Sequence, residues 1–180
     1  MRGKLFSIMA QRLHDARILA IALRSQRLGF VVTERSIELI HWGMIYYEKN
    51  EQASVLAAAK RISALFKRFV PSIVAIERSA GEKALNPSGL RLICQKTREE
   101  AAQRSVPVCL LNRIKVREAF RDFGVRSKDD IAILLVRMFP ELQSKVPPRR
   151  KIWKHEHFSM PLFDAVALAV ACWRQERFQE

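Results

Sequence analysis

Apolar residues fall into two kinds of pattern along this chain. Ile18–Leu23 is an unbroken apolar run, and Gly29–Glu34 and Ile37–Tyr47 follow it across short connections, the first being Arg24-Ser25-Gln26-Arg27. Runs this closely joined predict an antiparallel three-strand meander. Gln52–Phe69 changes the period: Val55, Leu56, Ala59, Ile62, Leu65, Phe66 and Phe69 recur at helical spacing until Pro71 closes the segment. Ser72–Glu77 is apolar on both faces until Glu77, as a buried central strand is. Beyond a loop over Ala80–Ser88, the pattern predicts a helix at Gly89–Arg104, a short strand at Val106–Leu111, and helices at Lys115–Phe123 and Lys128–Phe139. Ser127 is placed to cap the last of these, with Asp129 and Asp130 in its first turn, where negative charge suits the helix dipole. A basic, proline-bearing loop, "KVPPRRKIWK" (Lys145–Lys154), leads to Ser159, the predicted cap of a final helix over Met160–Arg177.

A meander followed by two alternating helix–strand units predicts an α/β fold, with a mixed five-stranded sheet and helices on both faces. Right-handed crossovers restrict where the last two strands lie. With 180 residues, 49% of them hydrophobic, one domain has ample material for a core. Residues 17–180 are assigned to that domain. Residues 1–16 form an extension in which Leu5, Ile8, Met9 and Leu13 recur at helical spacing. The extension lacks the uninterrupted apolar stretch and small-residue cleavage site of a signal peptide, and no segment approaches the ~20 apolar residues of a membrane span.

Charge changes the picture. A net charge of +14 and a pI of about 10.4 point to a polyanionic partner, nucleic acid before a membrane surface. Cys94, Cys109 and Cys172 are odd in number, far apart and set among apolar neighbours, which reads as buried, reduced thiols in a cytoplasmic protein.

Two acids stand out. Glu77 ends an otherwise apolar strand, where open α/β sheets place their functional crevice and also where strands simply exit to solvent. Asp164 is the only charged side chain from Leu162 to Trp173, on a helix apolar nearly all round. Such a carboxylate is paired or binds a cation, unless the free N–H groups of the first helical turn account for it. A strand-end Glu and a buried-helix Asp together suggest a divalent-metal site, and two Mg²⁺ ions about 4 Å apart would serve in-line phosphodiester hydrolysis.

Three stretches carry a family likeness. "ILAIALRSQRLGFVV", "SIVAIERSAGEK" and "MPLFDAVALAVA", in that order, resemble the first hairpin, the fourth strand and the last helix of the ribonuclease H-like superfamily. The likeness is nearest to RuvC-type Holliday junction resolvases and their YqgF-like relatives, and it spans about Arg17 to Arg177. It implies a metal-dependent endonuclease fold that uses Mg²⁺, with Mn²⁺ as a substitute. Glu77 falls on the family's strand glutamate and Asp164 on the later of its two helix acids; Ser25, Arg27 and Gly29 keep the hairpin pattern. The family's first-strand Asp, implied to bridge the metals, falls on Ala22. The glycine two residues later falls on Arg24, and the earlier helix acid on Pro161. Half of the expected carboxylates are thus missing, which predicts weak or absent metal binding and little nuclease activity.

The catalytic and metal expectations therefore rest on Glu77 and Asp164. His157, or His155 beside it, could add an imidazole ligand, although hard Mg²⁺ prefers oxygen. Arg24 has two readings: a fork onto phosphate, or an internal partner of Glu77 or Asp164. Arg24, Ser25 and Arg27 in the first turn, Arg78 and Lys83 after the Glu77 strand, and Arg149, Arg150 and Lys151 in the basic loop are the expected nucleic-acid contacts. Arg113, Lys115, Arg117 and Lys145 add positive charge, and Trp153 is a possible stacking platform. DNA is expected before RNA, and paired sites in the resolvases imply a homodimer. The leading expectation is a nucleic-acid-binding protein with a degenerate endonuclease site; a working Mg²⁺-dependent, structure-selective endonuclease and a non-enzymatic scaffold of a larger assembly are the competing readings.

Overall fold

The computed structural model describes residues 16–24, 26–34, 37–48, 51–77, 88–125, 127–148 and 156–178. Five strands form one sheet: β1 (Ile18–Leu23), β2 (Arg27–Glu34), β3 (Glu38–Tyr46), β4 (Ile73–Glu77) and β5 (Val108–Leu111), in the order β3-β2-β1-β4-β5. β1, β2 and β3 are mutually antiparallel, whereas β4 and β5 run parallel to β1. The helices are α1 (Gln52–Phe69), α2 (Ser88–Gln103), α3 (Arg113–Glu118), α4 (Lys128–Met138) and α5 (Met160–Phe178). The mixed α/β sheet with helices on both faces is the predicted one.

Strand periodicity sorts the core into two halves. In β1, Ile18, Ala20 and Ala22 join Ala75 of β4 against α4 and α5, while Leu19, Ile21 and Leu23 face α1 and α2 with Val74 and Ile76. Ala20, Ala22 and Ala75 are small, so this helix lies close on that part of the sheet. The approach is tightest at Gly29 of β2, the register partner of Ala22. A Cβ on Gly29 would stand 2.0 Å from the Pro161 carbonyl oxygen, so only glycine lets α5 sit there.

Several element ends differ from the predicted ones for identifiable reasons. β2 starts at Arg27, two residues early, because Leu23 pairs with Leu28 and Arg24 N–H donates to the Arg27 carbonyl at 2.9 Å. β5 begins only after Pro107, which has no N–H for the ladder. The helix predicted at Lys115–Phe123 starts at Arg113, because Asn112 is its N-cap and accepts from Lys115 N–H at 2.8 Å. It gives way to a 3-10 turn over Arg121–Phe123. Ser127 caps α4 as predicted, in a reciprocal capping box with Asp130. Cys172 is buried, whereas Cys94 and Cys109 are only partly so. Among the described residues no helix is long and apolar enough to cross a membrane. The N-terminal extension falls outside the described residues.

Candidate functional site

β1 and β4 are parallel neighbours, so their carboxyl ends open at the same edge of the sheet. Alternation puts Glu77 on the α5 side of β4, in line with Ala75, and Arg24 continues the same face of β1 beyond Ala22. α5 crosses this edge and brings in Asp164 from its second turn. The last described segment before α5 brings in Glu156. α4 contributes Lys128 at its first residue, and α3 contributes Arg113 at its own.

These groups form one network. Arg24 Nη1 donates to Glu77 Oε2 at 2.8 Å and to the Leu23 carbonyl at 2.7 Å, and its Nη2 donates to Asp164 Oδ2. Arg24 Nε lies 3.7 Å from Glu156 Oε2. Lys128 Nζ bridges Glu156 Oε1 at 2.5 Å and Asp164 Oδ2 at 2.8 Å. Arg113 Nε reaches Glu77 Oε1 at 3.3 Å from a largely exposed position. The backbone of Arg24 is held as well, since its carbonyl accepts from the buried Tyr47 hydroxyl. Among the described residues, the carboxylates of Glu77, Asp164 and Glu156 are thus each paired with one or more of Arg24, Lys128 and Arg113.

The electrostatics follow from this pairing. Burial alone would lower the Arg24 pKa, but Asp164, Glu77 and Glu156 outweigh it and raise it above the ordinary value. Burial would raise Glu156, but Lys128, Arg24 and Arg113 hold its carboxyl below the usual range. Desolvation pushes the Tyr47 phenol up to about 12, so it stays a hydrogen-bond donor.

Glu77 and Asp164 do converge, as the sequence predicts, but onto a guanidinium. Asp164 lies beyond the first turn of α5, and its charge is met by side chains, not by free N–H groups of the helix end. Of the two readings of Arg24, internal pairing is the one observed. Arg27 extends toward the Glu156 carbonyl at 3.5 Å. His157 Nδ1 lies 2.7 Å from Ser159 Oγ, and its ring packs on Phe158. Ser25, Arg78, Lys83, Arg149, Arg150, Lys151, Trp153 and His155 fall outside the described residues.

The residues present do not fit the divalent ions that the resemblance implies. Ala22 has no donor atom, and oxygens of Glu77, Glu156 and Asp164 that would ligate an ion already accept from fixed cations. The remaining cavity beside Glu77 and Asp164, bordered by Arg113, Arg117 and Lys128, measures about 60 Å³, room for a few waters. Among the described residues, no three His, Cys, Asp or Glu side chains are arranged as a metal-binding group.

Sequence reasoning missed Lys128, Glu156 and Tyr47. Lys128 carried a signal, because a cation at the first residue of a helix opposes the dipole and needs some other partner. Glu156 stands between the two histidines that drew attention as ligands. Nothing local marks Tyr47, whose role depends on where β3 ends.

No protein-family model and no curated protein sequence matches the chain. Solved structures do. Thermus thermophilus RuvC superposes with a TM-score of 0.67 at 20% identity, covering 89% of this chain and 96% of that one. The same protein in complex with a Holliday junction substrate gives 0.65 at 19%, covering 91% and 96%. The yeast mitochondrial Holliday junction resolvase Ydc2 gives 0.55 at 12%, covering 96% and 85%. At these identities the likeness is one of fold. The mixed five-stranded sheet, the TM-scores and the near-complete mutual coverage together identify the chain as having the RuvC-type ribonuclease H-like fold.

Proposed function

We propose that the chain is a nucleic-acid-binding protein of RuvC type, DNA before RNA, whose inherited nuclease pocket no longer hydrolyses phosphodiesters. One observation carries the reading: Arg24 joins Glu77 to Asp164 where an active site would need vacant carboxylate oxygens. The acids of the pocket are already paired, and the chain carries a net charge of +14, so ample positive charge lies elsewhere on the molecule for phosphates. Lys115 and Arg117 on α3 are exposed beside the pocket, and the sequence before Glu156 holds five cations and no acid from Lys145 to Lys154. A complex of Thermus thermophilus RuvC with a Holliday junction supports four-way DNA as the first ligand to try.

Gel shifts with a four-way junction, duplex DNA and duplex RNA between about 50 and 200 mM salt test this. Binding is expected to weaken steeply with salt, with log K falling by about 0.9 per phosphate contact on duplex DNA. The Lys115→Ala, Arg117→Ala double variant should reduce that slope by up to about 2. Incubation of the junction with Mg²⁺ or Mn²⁺ should leave it uncut. Cleavage abolished by Glu77→Gln would establish a working endonuclease instead, and no binding to any nucleic acid at low salt would leave the scaffold reading.

A further inference from the structure

We infer that the cavity between α3 and α5 receives a single unpaired nucleobase and holds it by an exocyclic amine. The inference deepens the nucleic-acid reading above and rests on it for the source of the base. The cavity measures about 380 Å³, within the roughly 300–1,000 Å³ of small-ligand sites. It shares no lining residue with the small space beside Glu77, so it is a second site and not an extension of the inherited pocket. Leu111 at the end of β5 gives it an apolar wall, and the short side chains of Ala119 and Ala171 leave the room.

Two polar groups of α5 select the ligand. Gln175 lines the cavity, and its buried Oε1 has no hydrogen-bond partner among the described residues. A buried acceptor left without a donor is costly, so a ligand that brings an N–H gains by supplying one. The terminal amide torsion is broad, and Oε1 gives up no hydrogen bond in turning toward that ligand. The exocyclic amine of adenine or cytosine is such a donor. An aliphatic side chain of a partner protein would fill the same space and leave Oε1 unmet. Arg174 is the second group. Its Nη1 donates to the Ala119 carbonyl and lies 3.5 Å from Asp122 Oδ2, and its guanidinium sits over the Phe123 ring, 5.0 Å from the centroid. A planar cation held in this way is already ordered for stacking on a flat heterocycle.

Charge places the rest of the nucleotide. Lys115 lines the cavity and Arg117 lies two residues further along α3, so a strand whose phosphates follow this helix passes the cavity mouth. Glu118 and Asp122 also line the cavity, and both carboxylates are mostly exposed, so they repel phosphate from the interior. The base enters alone, and its phosphates stay with Lys115 and Arg117.

Gel shifts of the full-length protein test this with three DNA duplexes: one carrying a single adenine bulge, one with an abasic bulge and one fully paired. The wild type is expected to prefer the adenine bulge over both others by about fivefold, the worth of one hydrogen bond. All affinities should fall between about 50 and 200 mM salt while the preference holds, because entry of the base releases no counterions. Arg117→Ala should weaken all three complexes and keep the preference. Gln175→Leu removes the acceptor at similar size, and Ala119→Leu fills the cavity from a half-buried position; each should erase the preference, and either suffices if the other fails to fold. Equal binding of the three duplexes, equal binding of the two bulges, or a preference that survives a folded variant would overturn the inference and leave the nucleic-acid reading standing. If no nucleic acid binds, that reading falls, and thermal melting with free deoxyadenosine decides the site. A saturable rise in melting temperature that Gln175→Leu removes would sustain a nucleobase site, and no rise would overturn it.

Discussion

Gly29→Ala tests whether the site depends on how closely α5 lies against the sheet. The added methyl would stand 2.0 Å from the Pro161 oxygen, 2.2 Å from its carbonyl carbon and 2.5 Å from Leu162 N, all of them backbone atoms that no rotamer change can move. Real contacts of this kind start near 3.0 Å, so the start of α5 must lift by about 1 Å. Overpacking of this kind costs about 1–3 kcal/mol. Asp164 is three residues along the same helix, and a displacement of about 1 Å takes its Oδ2 out of hydrogen-bond reach of Lys128 Nζ, now 2.8 Å away. That pair is only part-buried and Asp164 also bonds Arg24, so its loss adds about 1 kcal/mol or less. A combined loss of about 2–3 kcal/mol is therefore expected. In urea this should lower the unfolding midpoint by about 1 M, given a slope of about 2–3 kcal/mol/M. Gly43→Ala is the control. Its methyl would meet only the Phe30 ring, at 3.0 Å, and a side chain can yield where backbone cannot, so about 1 kcal/mol or less is expected. Equal midpoints for Gly29→Ala and wild type, or a larger loss for Gly43→Ala, would refute the close-approach argument.

Two pH-dependent predictions follow from the pocket. Glu156 is depressed in the folded state, so its contribution is fully present above the ordinary carboxylate value of 4.5 and is lost as pH falls through the folded value. Glu156→Gln should flatten the acid limb of a stability–pH curve measured by urea melts, and an unchanged limb would contradict the assigned pairing with Lys128. Tyr47 is raised from 10.0 to about 12, so its contribution is fully present below pH 10.0 and is lost as pH climbs through about 12. Tyr47→Phe should cost about 1 kcal/mol at neutral pH by removing the donor to the Arg24 carbonyl. It should also weaken the alkaline loss seen in the wild type, and parallel alkaline limbs would count against a buried phenol.

The fold was legible because its signals are local. Six apolar residues in β1, the helical recurrence through α1 and the Ser127 cap each declare themselves within a few positions, and their order restricts the topology. Boundaries slipped where a single backbone group decided them, as with Pro107 at β5 and Asn112 at α3. The site was legible in part for the same reason. Glu77 and Asp164 are conspicuous as acids in apolar surroundings, and Arg24 as a base at the mouth of a central strand. What joins them is not local. Lys128 and Glu156 enter the pocket from segments that only the tertiary arrangement of α4 and α5 brings together, and their charges look ordinary among so many others. The spacing of β1 from α5, on which the network depends, is written in the absence of a side chain at Gly29, and such an absence is hard to read from one sequence.

A metal ion held by carboxylates exchanges with the medium and can be stripped by a chelator. Arg24 cannot leave, because the β1–β2 hairpin presents it at an effective concentration that dilution does not change. The acids of the pocket are therefore balanced by side chains of the chain itself, and through them α5 is fastened to the sheet edge.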